Sequence, residues 1–352
     1  MANGKRLAML LVGLLLLLPG VTLAAIYSSL YVFGDSLLDS GNAHSITGVY
    51  PVSPPYDMRF SNGPVASEVL AQDLGLTALP SQLGGTNYAT GGATSGSANF
   101  AALAYGGLTL PPPFISPPPN QIALLGPSTT GGLSQQINLL TSAPPPDIGS
   151  SLVLVWAGAN DLFLTSALVA NGNLPPAQST FTQAADAAAS NVETAIDTLI
   201  GAGAKHILAV DMPDFGKIPA AADPANLLSP FWPGYTDEFN KQFLDANYLS
   251  GLDPSVDLKE FDIRGLLDDV ISNPSNYGFM NVTDACLPTV GPVPVALPCP
   301  DPDQYLFWDS ALPTAAADRI IGDAFARAVP EPSSIALLFL PLVALIAGRR
   351  QI

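Results

Sequence analysis

The sequence predicts an α/β domain built as a three-layer α/β/α sandwich around a parallel sheet. Four short runs rich in apolar residues predict strands, at residues 29–33, 151–158, 206–210 and 256–262. Continuous apolarity, rather than strict alternation, is typical of strands covered on both faces. Helical patterns separate the runs, and strands that alternate with helices favour a parallel sheet.

The clearest helix prediction lies between the second and third strands. Apolar residues recur there at intervals of three and four from Phe181 to Leu199, whereas Asp186 and Asp197 fall on the opposite face. Further helices are predicted at about 65–74, 133–140, 236–249 and 315–328. The Pro- and Gly-rich stretches at 105–132 and 141–149 predict surface excursions from one domain and not a domain boundary.

The composition is that of an exported, loop-rich protein. Charged residues make up 12% of the chain, against roughly 25% in ordinary soluble domains. The 31 glycines and 35 prolines indicate many turns. The formal charge of -17 repels phosphate backbones, so we expect no nucleic-acid partner.

The N-terminal end has the pattern of a targeting segment in front of a domain at residues 26–328. Residues 1–25 combine Lys5 and Arg6, an apolar run and two small residues, which are the three regions of a secretory signal peptide. We expect cleavage after Ala24 or Ala25, with a retained membrane anchor as the alternative.

The C-terminal end, residues 329–352, carries a Pro-Glu-Pro, an apolar run from Ile335 to Ala347 and two closing arginines. The run is shorter than the roughly 20 residues of a spanning helix, so a weak membrane tail is one interpretation. The order of the parts is similar to the PEP-CTERM sorting signal of Gram-negative, exopolysaccharide-producing bacteria. That resemblance implies transient association of both ends with the inner membrane, processing by an exosortase-type enzyme, and release to the cell surface or outside.

Two cysteines, Cys286 and Cys299, stand 13 residues apart in a chain expected to leave the cytoplasm. These conditions predict a disulfide, which would contribute on the order of 3 kcal/mol by restricting the unfolded chain. Besides these cysteines the chain has only His44 and His206, so we expect no zinc or other metal site.

The first predicted strand runs into "VFGDSLLDSGN", where Ser36 directly follows Gly34 and Asp35. A serine at the carboxyl end of a parallel strand lies where ligands bind in open α/β sheets. Gly-Asp-Ser is also a common turn, so this segment alone leaves a nucleophile and a turn residue both open. The chain lacks the G-x-S-x-G elbow, which argues against the α/β-hydrolase arrangement.

Two further clusters follow strands and carry hydrogen-bond donors. "NYATGGATSG" at 87–96 offers glycine N–H groups that a substrate can approach closely, and "WAGANDLF" at 156–163 offers the amide of Asn160. Each cluster fits an ordinary turn when taken alone. Together with Ser36 they supply the parts of an oxyanion hole: a serine N–H, a glycine N–H and a side-chain amide.

These blocks, with "RFSNGPVASEVLAQDLGL" at 59–76, resemble the GDSL or SGNH family of serine ester hydrolases over most of the chain. The resemblance implies a flavodoxin-like α/β/α sandwich that needs no cofactor. It also implies Ser36 as the nucleophile, and Ser36, Gly92 and Asn160 as the oxyanion hole. Gly92 is preferred to Gly91 because it stands five residues after Asn87, the family's usual offset.

The family's last block is Asp-x-x-His followed by Pro-Thr, and here it falls on "DSALPT". Asp309 matches the orienting carboxylate, but Leu312 stands at the position of the general base. A serine hydroxyl is a weak nucleophile without an adjacent base. His44, eight residues after Ser36, is retained as a substitute base, whereas His206 at a strand start is expected to lie far from the serine.

Three interpretations stay open. The chain is an exported hydrolase of carboxylic esters with impaired turnover, a noncatalytic surface or matrix protein that binds an acylated ligand, or an active enzyme whose residue 312 reflects a substituted or misread codon. The exopolysaccharide context favours O-acylated sugars as substrates, and lipid esters stay open.

Overall fold

A four-stranded parallel sheet lies at the centre of this computed structural model, which describes residues 27–105, 131–290, 293–294 and 296–329. Its strands, in spatial order, are β1 (Leu30–Gly34), β2 (Leu152–Trp156), β3 (His206–Val210) and β4 (Asp257–Phe261). All four lie on the runs that predicted them. The predicted signal peptide, all of the sorting segment except Val329, and most of the Pro-rich stretch at 105–132 lie outside the described residues.

A further extended segment, residues 86–90, lies along the other side of β1. The Val32 N–H donates to the Thr86 carbonyl at 3.1 Å, and the Tyr88 N–H donates to the Val32 carbonyl at 2.7 Å. β1 therefore lies between this segment and β2. After β1 the chain adds this segment on one side of β1, and it then adds β2, β3 and β4 on the other side. Such a switch in strand order opens a crevice at the carboxyl edge of an α/β sheet.

Two groups of helices flank the sheet. In chain order the helices are α1 (Asn42–Thr47), α2 (Ala66–Asp73), α3 (Phe100–Tyr105), α4 (Leu133–Thr141), α5 (Ala159–Ala170), α6 (Gln178–Gly201), α7 (Pro219–Ala222), α8 (Trp232–Gln242), α9 (Ala246–Gly251), α10 (Ile263–Ser272) and α11 (Ala315–Ala328). α6 packs against α4, α5 and α8, whereas α11 packs against α2. Every residue of β1 and β2 is buried, as a sheet covered on both faces requires. The predicted three-layer α/β fold is confirmed.

Two details differ from the sequence prediction. The helix expected over 236–249 is interrupted between α8 and α9, because Leu244 adopts a positive φ of 48° and the Asp245 carboxylate caps a new helix. β4 is not covered on both faces: it is the edge strand of the sheet, and Lys259 and Glu260 are exposed. Among the described residues, no helix is both long enough and apolar enough to cross a bilayer.

A smaller substructure holds the disulfide and leads to Asp309. β5 (Asn281–Ala285) pairs in parallel with β8 (Tyr305–Phe307), and β6 (Thr289–Val290) with β7 (Val293–Pro294) forms a short antiparallel pair between them. The predicted disulfide joins Cys286 to Cys299. Cys286 is buried together with Tyr56, Leu287 and Trp308, so the bridge supports the segment that follows β8.

Candidate active site

Ser36 lies in a tight turn that follows β1 at the carboxyl edge of the sheet. The turn is held by Asp35, whose Oδ1 accepts the Leu37 N–H at 3.0 Å. A side chain at Gly34 would come within 2.1 Å of the Trp156 carbonyl oxygen on β2, so the close approach of the two strands requires glycine there. Within the described residues, no group accepts the Ser36 N–H.

A buried carboxylate, Asp39, ties the turn after β1 to the glycine loop. It accepts four backbone N–H groups at distances of 2.6–3.1 Å, those of Gly41, Asn42, Ala43 and Gly91. The Gly91 N–H is thereby occupied, whereas the Gly92 N–H has no partner in the described part of the chain. Gly92 is therefore the glycine of this loop whose N–H remains for a ligand.

The conformation of the loop around Gly92 is fixed by its neighbours. Gly92 adopts a φ of 84°, and a Cβ there would lie 2.6 Å from Asn99 Oδ1, so the position suits glycine alone. Asn99 Nδ2 donates to the Gly91 carbonyl at 2.9 Å, and the Phe100 N–H donates to the Gly92 carbonyl at 2.6 Å. These bonds hold the loop without help from a ligand.

Asn160 lies in the first turn of α5 and is bonded to the same loop. Its Nδ2 donates to the Ala93 carbonyl at 3.0 Å, and the residue is 6% exposed. An amide carries two N–H groups, and the Asn160 side chain also forms a hydrogen bond with the buried carboxyl of Asp35. The next residue, Asp161, accepts both the N–H and the hydroxyl of Ser95 at 2.8 Å. The beginning of α5 is thus fastened to the loop that carries Gly92.

Three carboxyl groups with raised pKa values lie beneath these donors. Burial raises the pKa of Asp35 to about 7, and the pKa values of Asp39 and Asp161 to about 6, because a low dielectric disfavours the charged form. The four N–H groups on Asp39 oppose that rise. At Asp35, the Leu37 N–H and the Asn160 side chain oppose the rise.

An open pocket of about 730 Å³ begins at Ser36 and Asn160. Most of its lining is apolar, from Leu37, Trp156, Ala159, Phe163, Pro213, Phe215, Ile218, Leu267, Ile271, Leu306, Phe307, Ala311, Leu312, Pro313 and Ile321. The remaining polar residues of the lining are Asp214, Lys217 and Asp268. A serine and hydrogen-bond donors beside an apolar pocket suit attack on the carbonyl of an acyl group. No group of three or more acidic, His or Cys side chains in the described residues could hold a metal ion.

Comparisons with known proteins agree with this arrangement. A family model for GDSL-like lipases and acylhydrolases matches residues 30–325. The chain belongs to the GDSL lipase/acylhydrolase family. Membership in this GDSL family supports ester hydrolysis as the reaction.

Several curated GDSL relatives align with most of the chain. One GDSL esterase/lipase of Arabidopsis thaliana is 29% identical over 309 residues, covering 82% of this chain and 85% of that protein. Another is 26% identical over 336 residues, covering 84% and 87%. The phosphatidylcholine-sterol acyltransferase of Aeromonas hydrophila is 30% identical over 263 residues, covering 74% of this chain and 65% of that protein.

The loop after β8 holds Asp309 and Leu312, the two positions at which the sequence resemblance predicts the orienting carboxylate and the base. Asp309 is 7% exposed; its Oδ1 accepts the Ala311 and Leu312 N–H groups at 2.9 and 2.8 Å, and its Oδ2 accepts the Tyr56 hydroxyl at 2.6 Å. Burial raises the pKa of Asp309, and these three donors oppose the rise. The carboxylate therefore closes its own loop and binds a tyrosine.

Leu312 forms part of the pocket wall. It packs against the cluster of Ala43, Phe60 and Ala101, and it also lines the pocket that contains Ser36. A leucine side chain cannot accept a proton, so position 312 contributes apolar surface and no base.

Neither histidine is among the residues that line this pocket. His44 lies on α1 with Nδ1 3.3 Å from the Pro51 carbonyl oxygen. His206 is the first residue of β3, with Nδ1 3.9 Å from the Asp257 carboxylate. It therefore stands at the amino edge of the sheet, opposite to the edge that holds Ser36.

Two residues of the site were missed from the sequence. Asp39 stands three residues after Ser36 inside the quoted first block, so its position was a usable signal. Tyr56 is 253 residues away from Asp309, and no local pattern connects them. Only the folded chain brings that pair together.

Proposed function

We propose that this chain is an exported hydrolase of carboxylic esters in which the Ser36 hydroxyl attacks the acyl carbonyl. The N–H groups of Ser36 and Gly92 and the amide of Asn160 would hold the oxyanion of the tetrahedral intermediate. The observation that carries the proposal is that Ser36 and Asn160 line one apolar pocket, while the Asn160 amide and the Asp39 carboxylate bond to the loop that holds Gly92. Donors fixed in advance stabilise developing charge without reorganisation.

The reaction would pass through an acyl-enzyme. Ser36 Oγ bonds to the carbonyl carbon and loses its proton, the ester C–O bond breaks, and the alcohol leaves with a proton. Water then attacks the acyl-serine and releases the carboxylic acid. Because Leu312 cannot take the serine proton, we propose that solvent water takes it, at a cost on the order of 10^4 to 10^6 in rate relative to a complete triad.

Hydrolysis of p-nitrophenyl esters tests this proposal. We expect slow turnover in the natural chain and none above buffer in Ser36→Ala. Leu312→His supplies a base and should raise kcat/KM by at least about 100-fold. Leu312→Gln is the matched control, since it adds polarity without a base and should not raise the rate. Turnover that persists unchanged in Ser36→Ala would contradict the proposal.

A noncatalytic binding protein on the same scaffold is the second candidate. The features that favour it are the apolar Leu312 in the pocket wall and the engagement of Asp309 by Tyr56. That candidate predicts equal binding of an acylated ligand by the natural chain and by Ser36→Ala, with no turnover by either protein. A substituted or misread codon at position 312 is tested by resequencing the gene from an independent source.

The substrate and the route of export belong to the same proposal. The name of the Aeromonas acyltransferase supports a lipid ester, whereas the sorting-signal resemblance supports an O-acylated sugar. Export through the signal peptide, with exosortase-type processing of residues 329–352, is supported by the disulfide, since disulfides persist in oxidising compartments. Fractionation of a Gram-negative host and the masses of the mature termini test this route; a full-length cytoplasmic product would contradict it.

A further inference from the structure

The pocket runs across the carboxyl edge of the sheet. Ser36 follows β1, Trp156 ends β2, Phe215 follows β3, and Leu267 lies on α10 after β4, and all four residues line it. Neighbouring strands lie about 4.8 Å apart, so the three intervals from β1 to β4 that the lining crosses span about 14 Å. The nucleophile lies at one end and α10 at the other.

Two charged residues stand at the end of the pocket that is far from Ser36. Lys217 Nζ lies 2.6 Å from Asp268 Oδ1 and 3.7 Å from Asp214 Oδ2. Lys217 ends the 3₁₀ turn Phe215–Lys217 after β3, whereas Asp268 lies on α10, so the ion pair joins two separate elements across that end. The two side chains are 40% and 38% exposed, which places the pair between the apolar lining and solvent.

The lining next to the ion pair is apolar. Leu267 and Ile271 stand four residues apart on α10, so they share the face that lines the pocket. Phe215 and Ile218 line the pocket from the segment that follows β3. An alkyl chain extending from Ser36 therefore meets apolar side chains until it reaches Lys217 and Asp268.

We propose that the ion pair between Lys217 and Asp268 sets the longest acyl chain that the pocket accepts. The inference rests on the proposed function, because it takes the acyl carbonyl to be bound at Ser36. A methylene group that reaches the ion pair must displace the pair or extend into water. Lengthening the acyl chain beyond the ion pair therefore adds no further binding free energy. A zigzag chain with bonds of about 1.5 Å spans about 14 Å with roughly twelve carbons, which favours a medium-chain acyl ester.

The test compares straight-chain p-nitrophenyl esters from acetate to palmitate on the natural chain, Lys217→Met, Asp268→Leu and Lys217→Arg. In the natural chain kcat/KM should rise by up to about fourfold per methylene, and then stop rising near laurate. Lys217→Met and Asp268→Leu should move that limit to longer esters, and Lys217→Arg, which keeps the charge, should not. An unchanged limit in both charge-removing variants would overturn the proposal.

Lys241→Met is the matched control. It removes another exposed ion pair, between Lys241 and Glu238 on α8, and should leave the chain-length profile unchanged. Exposed ion pairs contribute little to stability, so all of these variants should fold. Thermal unfolding checks that expectation.

A binding measurement separates this inference from the proposed hydrolase activity. Displacement of a fluorescent fatty acid by straight-chain fatty acids from butyrate to palmitate is measured on the same variants in a Ser36→Ala background. A length limit that moves with Lys217 and Asp268 supports the inference even if no protein shows turnover. Affinities that depend on chain length identically in all variants contradict it, whatever the activity.

Discussion

Asp35 and Asp39 are buried carboxyl groups on either side of the nucleophile turn, and their surroundings differ. Asp39 accepts four backbone N–H groups, so it organises the chain around Ser36 and Gly91. Asp35 has fewer donors, namely the Leu37 N–H and the Asn160 side chain. We therefore expect folding to favour the protonated form of Asp35.

Replacing Asp35 by asparagine should reduce the pH dependence of the unfolding free energy. Because burial raises the folded pKa of Asp35 from 3.8 to about 7, its stabilising contribution is full below about pH 4 and is lost as the pH rises through 7. That loss amounts to as much as about 4 kcal/mol. Urea unfolding of both proteins between about pH 4 and pH 8 measures the difference.

Asp39→Asn provides the contrast. An asparagine amide nitrogen cannot accept from the backbone N–H groups, so this variant should lose about 2 kcal/mol or more at pH 8, where the Asp39 carboxylate is charged. Equal pH slopes for Asp35→Asn and the natural chain would contradict the account of Asp35.

The positions of the predicted site residues in the fold could be predicted only where they lie at strand ends. Ser36, Gly92 and Asn160 follow extended segments that share one sheet edge, so a parallel fold brings them together. The partner of Asp309 was not predictable, because Tyr56 lies in an irregular segment and approaches through tertiary packing alone.

At the scale of helices, the packing of α11 against α2 depends on a small residue. Gly322 lies within α11 and is buried. A Cβ at this position would lie 2.5 Å from Val69 Cβ and 2.8 Å from the Ala66 carbonyl oxygen on α2. The close contact of the two helices therefore requires the glycine, against its low helix propensity.

Gly322→Ala should destabilise the protein although alanine favours helices. Overpacking of this kind costs about 1–3 kcal/mol, which exceeds the gain of about 1 kcal/mol from helix propensity. Gly201→Ala on α6 is the control, because no atom lies within 4 Å of its added Cβ, and it should be neutral or stabilising. Thermal unfolding of the two variants measures both effects. A Gly322→Ala variant that is more stable than the natural chain would contradict the packing described.

The first and last residues of a helix could be predicted from the sequence where a capping residue and the apolar spacing agree. The expected range 315–328 matches α11, whose N-cap Thr314 accepts the Ala317 N–H. The range 236–249 did not hold, because its apolar spacing continues through Leu244, where the backbone turns left-handed. Apolar spacing alone carries no signal of such a break.

For the whole molecule, the disulfide and the sheet hold the two halves of the site. The sheet positions Ser36 and Asn160, whereas the segment that carries Asp309 is packed on the substructure around Cys286. The Leu287 N–H donates to the Trp308 carbonyl at 2.6 Å, next to Asp309 in the chain. The strands, the disulfide and the layer arrangement were predictable, since they follow from apolar runs and cysteine spacing.

Removing the disulfide in Cys286→Ala/Cys299→Ala should lower the unfolding free energy by about 3 kcal/mol, because a loop of this size no longer restricts the unfolded chain. Urea unfolding measures the loss. A reducing agent should destabilise the natural chain by a similar amount and leave the double variant unaffected. Equal stability of the two oxidised proteins would contradict a stabilising role.

Covalent labelling of the serine tests the central claim most directly. The natural chain, Ser36→Ala and Leu312→His are treated with an alkyl fluorophosphonate, and the labelled residue is located by peptide mass spectrometry. We predict slow labelling of the natural chain at Ser36, faster labelling of Leu312→His at the same residue, and none in Ser36→Ala. Labelling that occurs only after Leu312→His, with an unlabelled natural chain, would contradict a functional nucleophile in this protein.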